Sequence, residues 1–173
     1  MFNDNLLELD ARKEIYDCIR KSPGLHFREI QRRTKLPTGS VEYHLHFLHK
    51  NGLVRAEKKG KFLYYYPTDH AFGEEEKILI SLLRQKNIRH ILMSLIEKKG
   101  STPSELGEKL GMSPSNLSWY LNMLSEKNII TQKKRGRFRH YSVRDKKRIV
   151  LCLVTYRASF LDKTVDGFIE AFE

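Results

Sequence analysis

Residues Ser40–Val54 read SVEYHLHFLHKNGLV, and residues Asn116–Ile130, 76 positions later, read NLSWYLNMLSEKNII. Few polar letters agree, yet the apolar positions coincide: Val41 with Leu117, Leu45 with Leu121, Leu48 with Leu124, and Leu53 and Val54 with Ile129 and Ile130. Working outward, residues 12–69 lie on 88–145 without a gap, and Ile19, Ile30 and Leu36 meet Leu95, Leu106 and Met112. Ten of the 58 positions are identical, including Ile15 and Ile91, Gly24 and Gly100, Glu29 and Glu105, Gly60 and Gly136, and Tyr65 and Tyr141. That is weak as identity. The shared spacing of apolar residues is the stronger signal, and it reads as two copies of one fold.

Each copy divides in the same way. A helix around Arg12–Lys21 (Ile88–Lys98 in the second copy) ends near a glycine, Gly24 or Gly100, at the usual stop position. The next helix opens in the second copy with TPSE: Thr102 is the N-cap, Pro103 the first helical residue, and Glu105 closes a capping box. The first copy has HFRE there and a poorer cap. After a turn at Leu36–Pro37, or Met112–Ser113–Pro114, a third helix puts Val41, Leu45 and Leu48 on one buried stripe and stops at Asn51–Gly52. The period then changes, and LVRAEKKGKFLYYYP and IITQKKRGRFRHYSV each read as two strands around a glycine-containing turn.

The expected fold is therefore mainly α with small β-hairpin wings, an α+β arrangement of two tandem winged helix-turn-helix domains. The first spans residues 1–72 and the second 73–145, entered by a connecting helix over 74–85. A C-terminal helical segment, 146–173, has no counterpart in the repeat. The stretch REIQRRTKLPTGSVEYHLHFLHKNGLV, followed by KKGKFLYYYP, resembles the winged-helix transcription regulators of the ArsR and MarR type. It most resembles the archaeal forms that carry two such units in tandem, over about residues 10–145. The resemblance implies duplex DNA as partner, with third helices in the major groove and wings on backbone or minor groove. It says little about which genes are controlled.

Charge supports the same partner. There are 32 Lys plus Arg against 21 Asp plus Glu, a net +11 with a pI near 9.7. Such a balance points first to nucleic acid and second to an anionic membrane surface. Residues 1–72 carry +4, 73–145 carry +6 and the remainder +1, so the excess is not a basic tail. No apolar run approaches the roughly 20 residues of a membrane span. The opening MFNDNLLELD lacks the basic, then apolar, then small-residue order of a signal peptide, so a cytoplasmic location is expected. Cys18 and Cys152 sit in apolar helical patterns without CxxC spacing and read as two buried reduced thiols.

With Val41, Leu45 and Leu48 inward, Thr38, Ser40, Tyr43 and His46 face away from the core, beside Glu42. In the second copy the outward residues are Ser115, Asn116, Ser118, Trp119 and Asn122. Hydroxyl and amide groups at a helix N-terminus suit phosphate and base-edge contacts, because free backbone N–H groups point the same way. The bland reading is that Ser, Thr and Asn are ordinary caps and that Tyr43 and Trp119 are half-buried packing residues. A carboxylate such as Glu42 repels phosphates, so the second copy is the expected stronger reader. The hairpin tips add Lys58, Lys59 and Lys61 in the first copy, and Lys133, Lys134, Arg135, Arg137 and Arg139 in the second. A charge run is usually a solvated face, but two runs at matching turns favour DNA contact. Arg28, Arg32, Arg33 and Lys35 form a further expected phosphate-holding strip.

His44, His46 and His49, with Glu42, invite a metal reading, but no cysteine joins them and no metal is expected. Enzyme motifs (P-loop, GxGxxG, nucleophile elbow, HExxH) are absent, no cofactor is expected, and Glu74–Glu76 read as a helix N-terminus. The tail reads as one long helix or two shorter ones, with Ile149 to Val154 and Phe160, Leu161, Val165, Phe168, Ile169 and Phe172 apolar. Either it packs across both domains or it pairs with another copy; a homodimer is the expectation. Two rivals to sequence-specific DNA binding stand: a winged-helix protein-interaction module, with contact to the transcription machinery, and a nonspecific chromatin or RNA binder.

Overall fold

A computed structural model of the chain describes residues 9–160 and 162–171. The acidic opening stretch up to Glu8, and Leu161 and Phe172 of the tail, lie outside the described residues. Contacts divide the chain into two compact units. One comprises residues 9–80 with 156–160, the other 81–155 with 162–171. Among the described residues no helix is long and apolar enough to cross a membrane.

In the first unit, α1 (Asp10–Lys21), α2 (Phe27–Thr34) and α3 (Thr38–Lys50) precede a hairpin of β2 (Val54–Lys59) and β3 (Phe62–Pro67). A two-residue strand, β1 (Leu25–His26), adds to β3 and makes a three-stranded antiparallel sheet in the order β1-β3-β2. The core is one cluster that includes Ile15, Ile19, Leu25, Ile30, Val41, Leu45, Leu48 and Val54. A helix, α4 (Glu74–Leu83), follows.

The second unit repeats the plan: α5 (Lys86–Glu97), α6 (Pro103–Leu110), α7 (Pro114–Glu126) and the hairpin of β4 (Ile130–Arg135) and β5 (Phe138–Val143). Ile91, Leu95, Leu106, Leu117, Leu121, Leu124 and Ile130 occupy the repeat-equivalent positions of the first core and are buried as well. The repeat read from the sequence is thus a repeat of buried stripes, spaced at i, i+3 and i+4 on helices as burial on one face requires. The mainly helical fold with small antiparallel wings is present in both copies.

Local chemistry explains the element ends. Thr102 and Glu105 form the expected capping box, with the Thr102 hydroxyl accepting from Glu105 N–H and the Glu105 carboxylate accepting from Thr102 N–H. His26, the matching N-cap of α2, makes no side-chain cap. Each hairpin turns on a two-residue loop whose first residue, Gly60 or Gly136, has φ 61°, a left-handed setting that glycine adopts without penalty. The short strand β1 has no sequence signal; in the second unit its place is taken by a single bridge between Ser101 and Tyr141.

The tail resolves the choice left open by its pattern. It forms α8 (Lys146–Thr155), a 3-10 turn at Arg157–Ser159 and α9 (Lys163–Glu170). In the first unit, Tyr156 donates to Glu76 at 3.0 Å and lies 6.2 Å from the Phe72 ring, while Arg33 donates to the carbonyls of Ala158 and Ser159 at 3.2 and 2.9 Å. In the second, Asp162 pairs with the buried Arg89 and lies 3.1 Å from His90 Nε2. Burial alone would raise the Asp162 carboxyl, but hydrogen bonds from Arg89 and Thr164 hold it well below the usual range. Much of the apolar tail surface that suggested a dimer partner is thus buried in the chain itself. Leu151 and Val154 of α8 remain exposed. Cys152 is buried, whereas Cys18 is only partly so, a correction to the expectation of two buried thiols.

Candidate nucleic-acid interface

The third helix of each unit offers its free faces to solvent. Thr38, Tyr43 and His46 on α3 are exposed and Ser40 is half-buried; Ser115, Asn116, Ser118, Trp119 and Asn122 on α7 are all exposed. Tyr43 and Trp119 occupy the same repeat position and are equally open, 61% each. Neither is the half-buried packing residue of the bland reading. Each instead stands edge-on to its neighbour, Tyr43 to His44 and Trp119 to Tyr120, at 5.1 and 4.9 Å between ring centroids.

The starts of the two helices differ. Ser113 caps α7 by accepting from Asn116 N–H at 3.4 Å, and Pro114 follows as first residue. α3 has Pro37 at the cap and no side-chain cap, and the Thr38 hydroxyl accepts from Gln31 at 2.7 Å. Glu42 is exposed on α3, as its position in the pattern implied.

Strand register sorts the wing cations, because successive side chains point to opposite faces. Lys134 and Arg139 are cross-strand partners, in step with the buried Ile130 and Tyr141, so they extend the face that packs on the helices. Lys133 and Arg135 are in step with Thr131, His140 and Ser142 on the outer face, and Arg137 sits in the loop. In the first hairpin Lys58 falls on the inner face with Val54, Lys59 on the outer face with Arg55 and Glu57, and Lys61 in the loop. All eight wing cations are exposed.

The strip along α2 is less available than its letters imply. Arg32 donates to both oxygens of Glu29, at 3.0 and 2.7 Å. Arg33 donates to Glu29 at 2.8 Å, to Ser22 at 2.9 Å and to the tail carbonyls. These bonds, Arg32's first, lower the Glu29 carboxyl to about 2. Of the four residues, Arg28 and Lys35 remain exposed without such commitments.

The histidines play separate parts. His44 is buried, with Nδ1 lacking a partner, and burial and the nearby Arg12 charge push its pKa down. The repeat equivalent, Tyr120, instead accepts from Asn87 at 3.0 Å. His49 Nδ1 bonds Val54 O at 3.1 Å and His46 is exposed. Among the described residues no group of three His, Cys, Asp or Glu side chains is arranged to hold a metal.

Helix, tight turn, third helix and basic hairpin, twice over, define a tandem winged helix-turn-helix protein. The resemblance to tandem regulators of that class holds in comparison with known proteins. Residues 9–80 match a family model described as an N-terminal HTH domain, and residues 84–131 one described as winged helix-turn-helix DNA-binding. The chain is 27% identical over 133 residues to the uncharacterized HTH-type transcriptional regulator MJ1398 of Methanocaldococcus jannaschii, covering 77% of this chain and 33% of that protein. It thus spans about a third of that relative's length. Among solved structures, reduced HlyU from Vibrio cholerae aligns at 19% identity and TM-score 0.43, over 49% of this chain and 87% of its own. A variant of ZitR from Lactococcus lactis aligns at 23% identity and TM-score 0.38, over 77% of this chain and 80% of its own.

Proposed function

We propose that the chain is a sequence-specific, duplex-DNA-binding transcription regulator that acts without catalysis, in the cytoplasm and as a homodimer. The second unit is the main reader. Asn116, Ser118, Trp119 and Asn122 approach base edges in the major groove, while Ser115, Lys134 and Arg139 hold phosphates and Arg135 and Arg137 reach along the wing. Thr38, Ser40, Tyr43, His46, Lys58, Lys59 and Lys61 give the first unit a weaker version of the same surface.

One observation carries the reading. The exposed polar face of α7 contains no carboxylate from Ser115 to Asn122, and the hairpin face that packs on the same helices ends in the paired cations Lys134 and Arg139. Donors, acceptors and charge are arranged for a polyanion whose edges vary with sequence. The test begins by sequencing genomic fragments retained by the protein. Fluorescence anisotropy then compares the enriched duplex with a scrambled one and with RNA across a salt series. Affinity for the enriched duplex should exceed the others and fall by orders of magnitude between low and moderate salt, as counterion release requires. Equal affinity for all three, or no salt dependence, overturns it.

A second reading of the first unit has its own support. Phe62 and Leu63 on its wing are 51% and 46% exposed, and Leu63 stands where the second wing has Arg139. An exposed apolar pair suits a protein partner such as the transcription machinery better than phosphate. Alanine at both positions should then leave DNA affinity intact and reduce transcriptional output.

A further inference from the structure

The outer face of the second wing borders a groove of about 640 Å³, lined among others by Lys99, Gly100, Lys133, Arg135, Ser142 and Arg144. That volume lies in the usual range of small-molecule sites, roughly 300–1,000 Å³. We propose that it is a binding site for a small ligand bearing two or more phosphate groups, on the hairpin face opposite Lys134 and Arg139.

The first unit shows what a filled version of this face looks like. There the repeat equivalents of Lys133 and Ser142 are Glu57 and Tyr66. Tyr66 is buried and comes so close to Gly24 that a Cβ there would meet its hydroxyl at 2.8 Å and its ring at 2.9 Å. Lys77 of α4 lies over the same ring, 5.4 Å from its centroid, and donates to both Glu57 oxygens at 2.7 and 2.9 Å and to Glu74 at 2.7 Å. Arg55 adds a contact to Glu57 at 3.4 Å. The ring fills the space and the Glu57 and Lys77 charges are answered internally, while buried Nε and Nη2 of Arg55 make no hydrogen bond among the described residues.

In the second unit serine replaces the tyrosine, and a Cβ on Gly100 would meet nothing within 4 Å. Lysine replaces the glutamate. Lys99, Lys133, Arg135 and Arg144 line the space, no carboxylate is among the lining residues, and none of the four has an ion-pair partner among the described residues. Four like charges around one concavity repel each other and focus a positive potential into it, which an anionic occupant relieves. The Ser142 hydroxyl supplies a neutral hydrogen-bonding group at the wall, while that of Thr131 donates to the Ser142 carbonyl at 3.4 Å. A single carboxylate would leave most of this charge unanswered. Linked phosphates match several Lys and Arg groups together.

Occupancy would also neutralise Lys133 and Arg135 on a hairpin whose other face carries Lys134 and Arg139, so the ligand should antagonise DNA binding. This second consequence rests on the proposed DNA reading; the binding itself does not.

The experiment is calorimetric titration of the full chain with sodium pyrophosphate, and separately with ATP, at low salt. Three proteins are compared: the natural chain, the double variant Lys99→Ala/Arg144→Ala, and a charge-matched control, Lys86→Ala/Lys127→Ala. Saturable one-site binding to the natural chain and the control, weakened at least tenfold in Lys99→Ala/Arg144→Ala, is expected. Tighter binding of ATP than of pyrophosphate points to a nucleotide or a longer phosphate chain as occupant, equal binding to a diphosphate alone, and either supports the site. No binding, or equal loss in the control, overturns it. So does a tenfold loss of DNA affinity in Lys99→Ala/Arg144→Ala with pyrophosphate binding unchanged, since the groove would then hold DNA backbone. Pyrophosphate binding without any duplex binding leaves the site standing and removes the DNA reading.

Discussion

The two winged helices have matching cores and part company on their wings. In the first, Glu57, Lys77, Glu74 and Arg55 answer one another's charge, and hydrogen bonds to Glu57 and then Glu74 hold the Lys77 ammonium above its ordinary value. In the second, Lys133 stands where the first has Glu57 and Thr131 where it has Arg55, and the groove beside them is lined by four cations and no carboxylate. One scaffold thus supports a wing whose outer Glu57 is paired with Lys77 and Arg55 and one whose outer cations meet no carboxylate among the described residues. Duplication kept what the fold needs, the buried stripes, and left the outer positions free to diverge.

The largest expected effect tests that contrast directly. Replacing Lys134, Arg135, Arg137 and Arg139 together with alanine should weaken DNA binding by about two to three orders of magnitude at low salt and make the salt slope shallower by about 3.6, if each holds one phosphate. Replacing Lys58, Lys59 and Lys61 should cost less than tenfold. Anisotropy titrations over a salt series measure both, and equal losses would erase the distinction between the wings.

The helices come next. Asn116→Ala or Asn122→Ala should change preference among related duplexes by roughly 1–3 kcal/mol where the amide makes a good base-edge contact. Glu42→Gln in the first unit should instead tighten binding to every sequence slightly. Equal losses on specific and scrambled duplex for the asparagine variants would reduce α7 to a positioning element.

A smaller effect concerns stability. Thr102→Ala removes the capping box and should cost about 1 kcal/mol in denaturant unfolding. The first unit has no cap to lose at His26. A change at Thr102 that leaves the midpoint unmoved would show that the cap is redundant with tertiary packing.

The smallest difference is expected at acid pH, where the units should behave alike. Glu29 and Glu105 share a repeat position, and both are lowered from 4.5 to about 2, Glu29 by hydrogen bonds from Arg32 and Arg33, Glu105 by Lys98 and then the Thr102 backbone. A carboxyl lowered by folding contributes stability above its unfolded value and loses it as pH falls through the folded one. The contribution of these two carboxyls to melting temperature should therefore be flat well above pH 4.5 and fall between 4.5 and about 2, below the earlier loss that the depressed His44 brings as pH falls past 6.5. Glu29→Gln and Glu105→Gln should each blunt that fall.

What the sequence disclosed and what it withheld follow from the range of the forces involved. Helix stripes, the Thr102 cap and the glycine turns are local, and all are written in spacing a reader can check. The faces of the wings are not: KKRGRFR looks uniformly basic until register separates Lys134 and Arg139 from Lys133 and Arg135. Arg33 reads as a phosphate ligand although Glu29 lies only four residues before it, and two more of its acceptors, the carbonyls of Ala158 and Ser159, lie 125 and 126 residues away. β1 is too short to alternate. The tail's apolar residues were legible as buried, but not which part of the chain would bury them.

That distant bond also has a clock attached. Arg33 leaves the ribosome 126 residues before Ser159, an interval of about 6 to 25 seconds at typical synthesis rates of roughly 5–20 residues per second. Once Pro67 has followed, and for the rest of that time, the first unit has the residues of its three helices and hairpin but lacks Tyr156 beside Phe72 and the carbonyls that receive Arg33. The domain that starts first is among the last to be finished, and a ribosome that stalls in α8 leaves it one strap short.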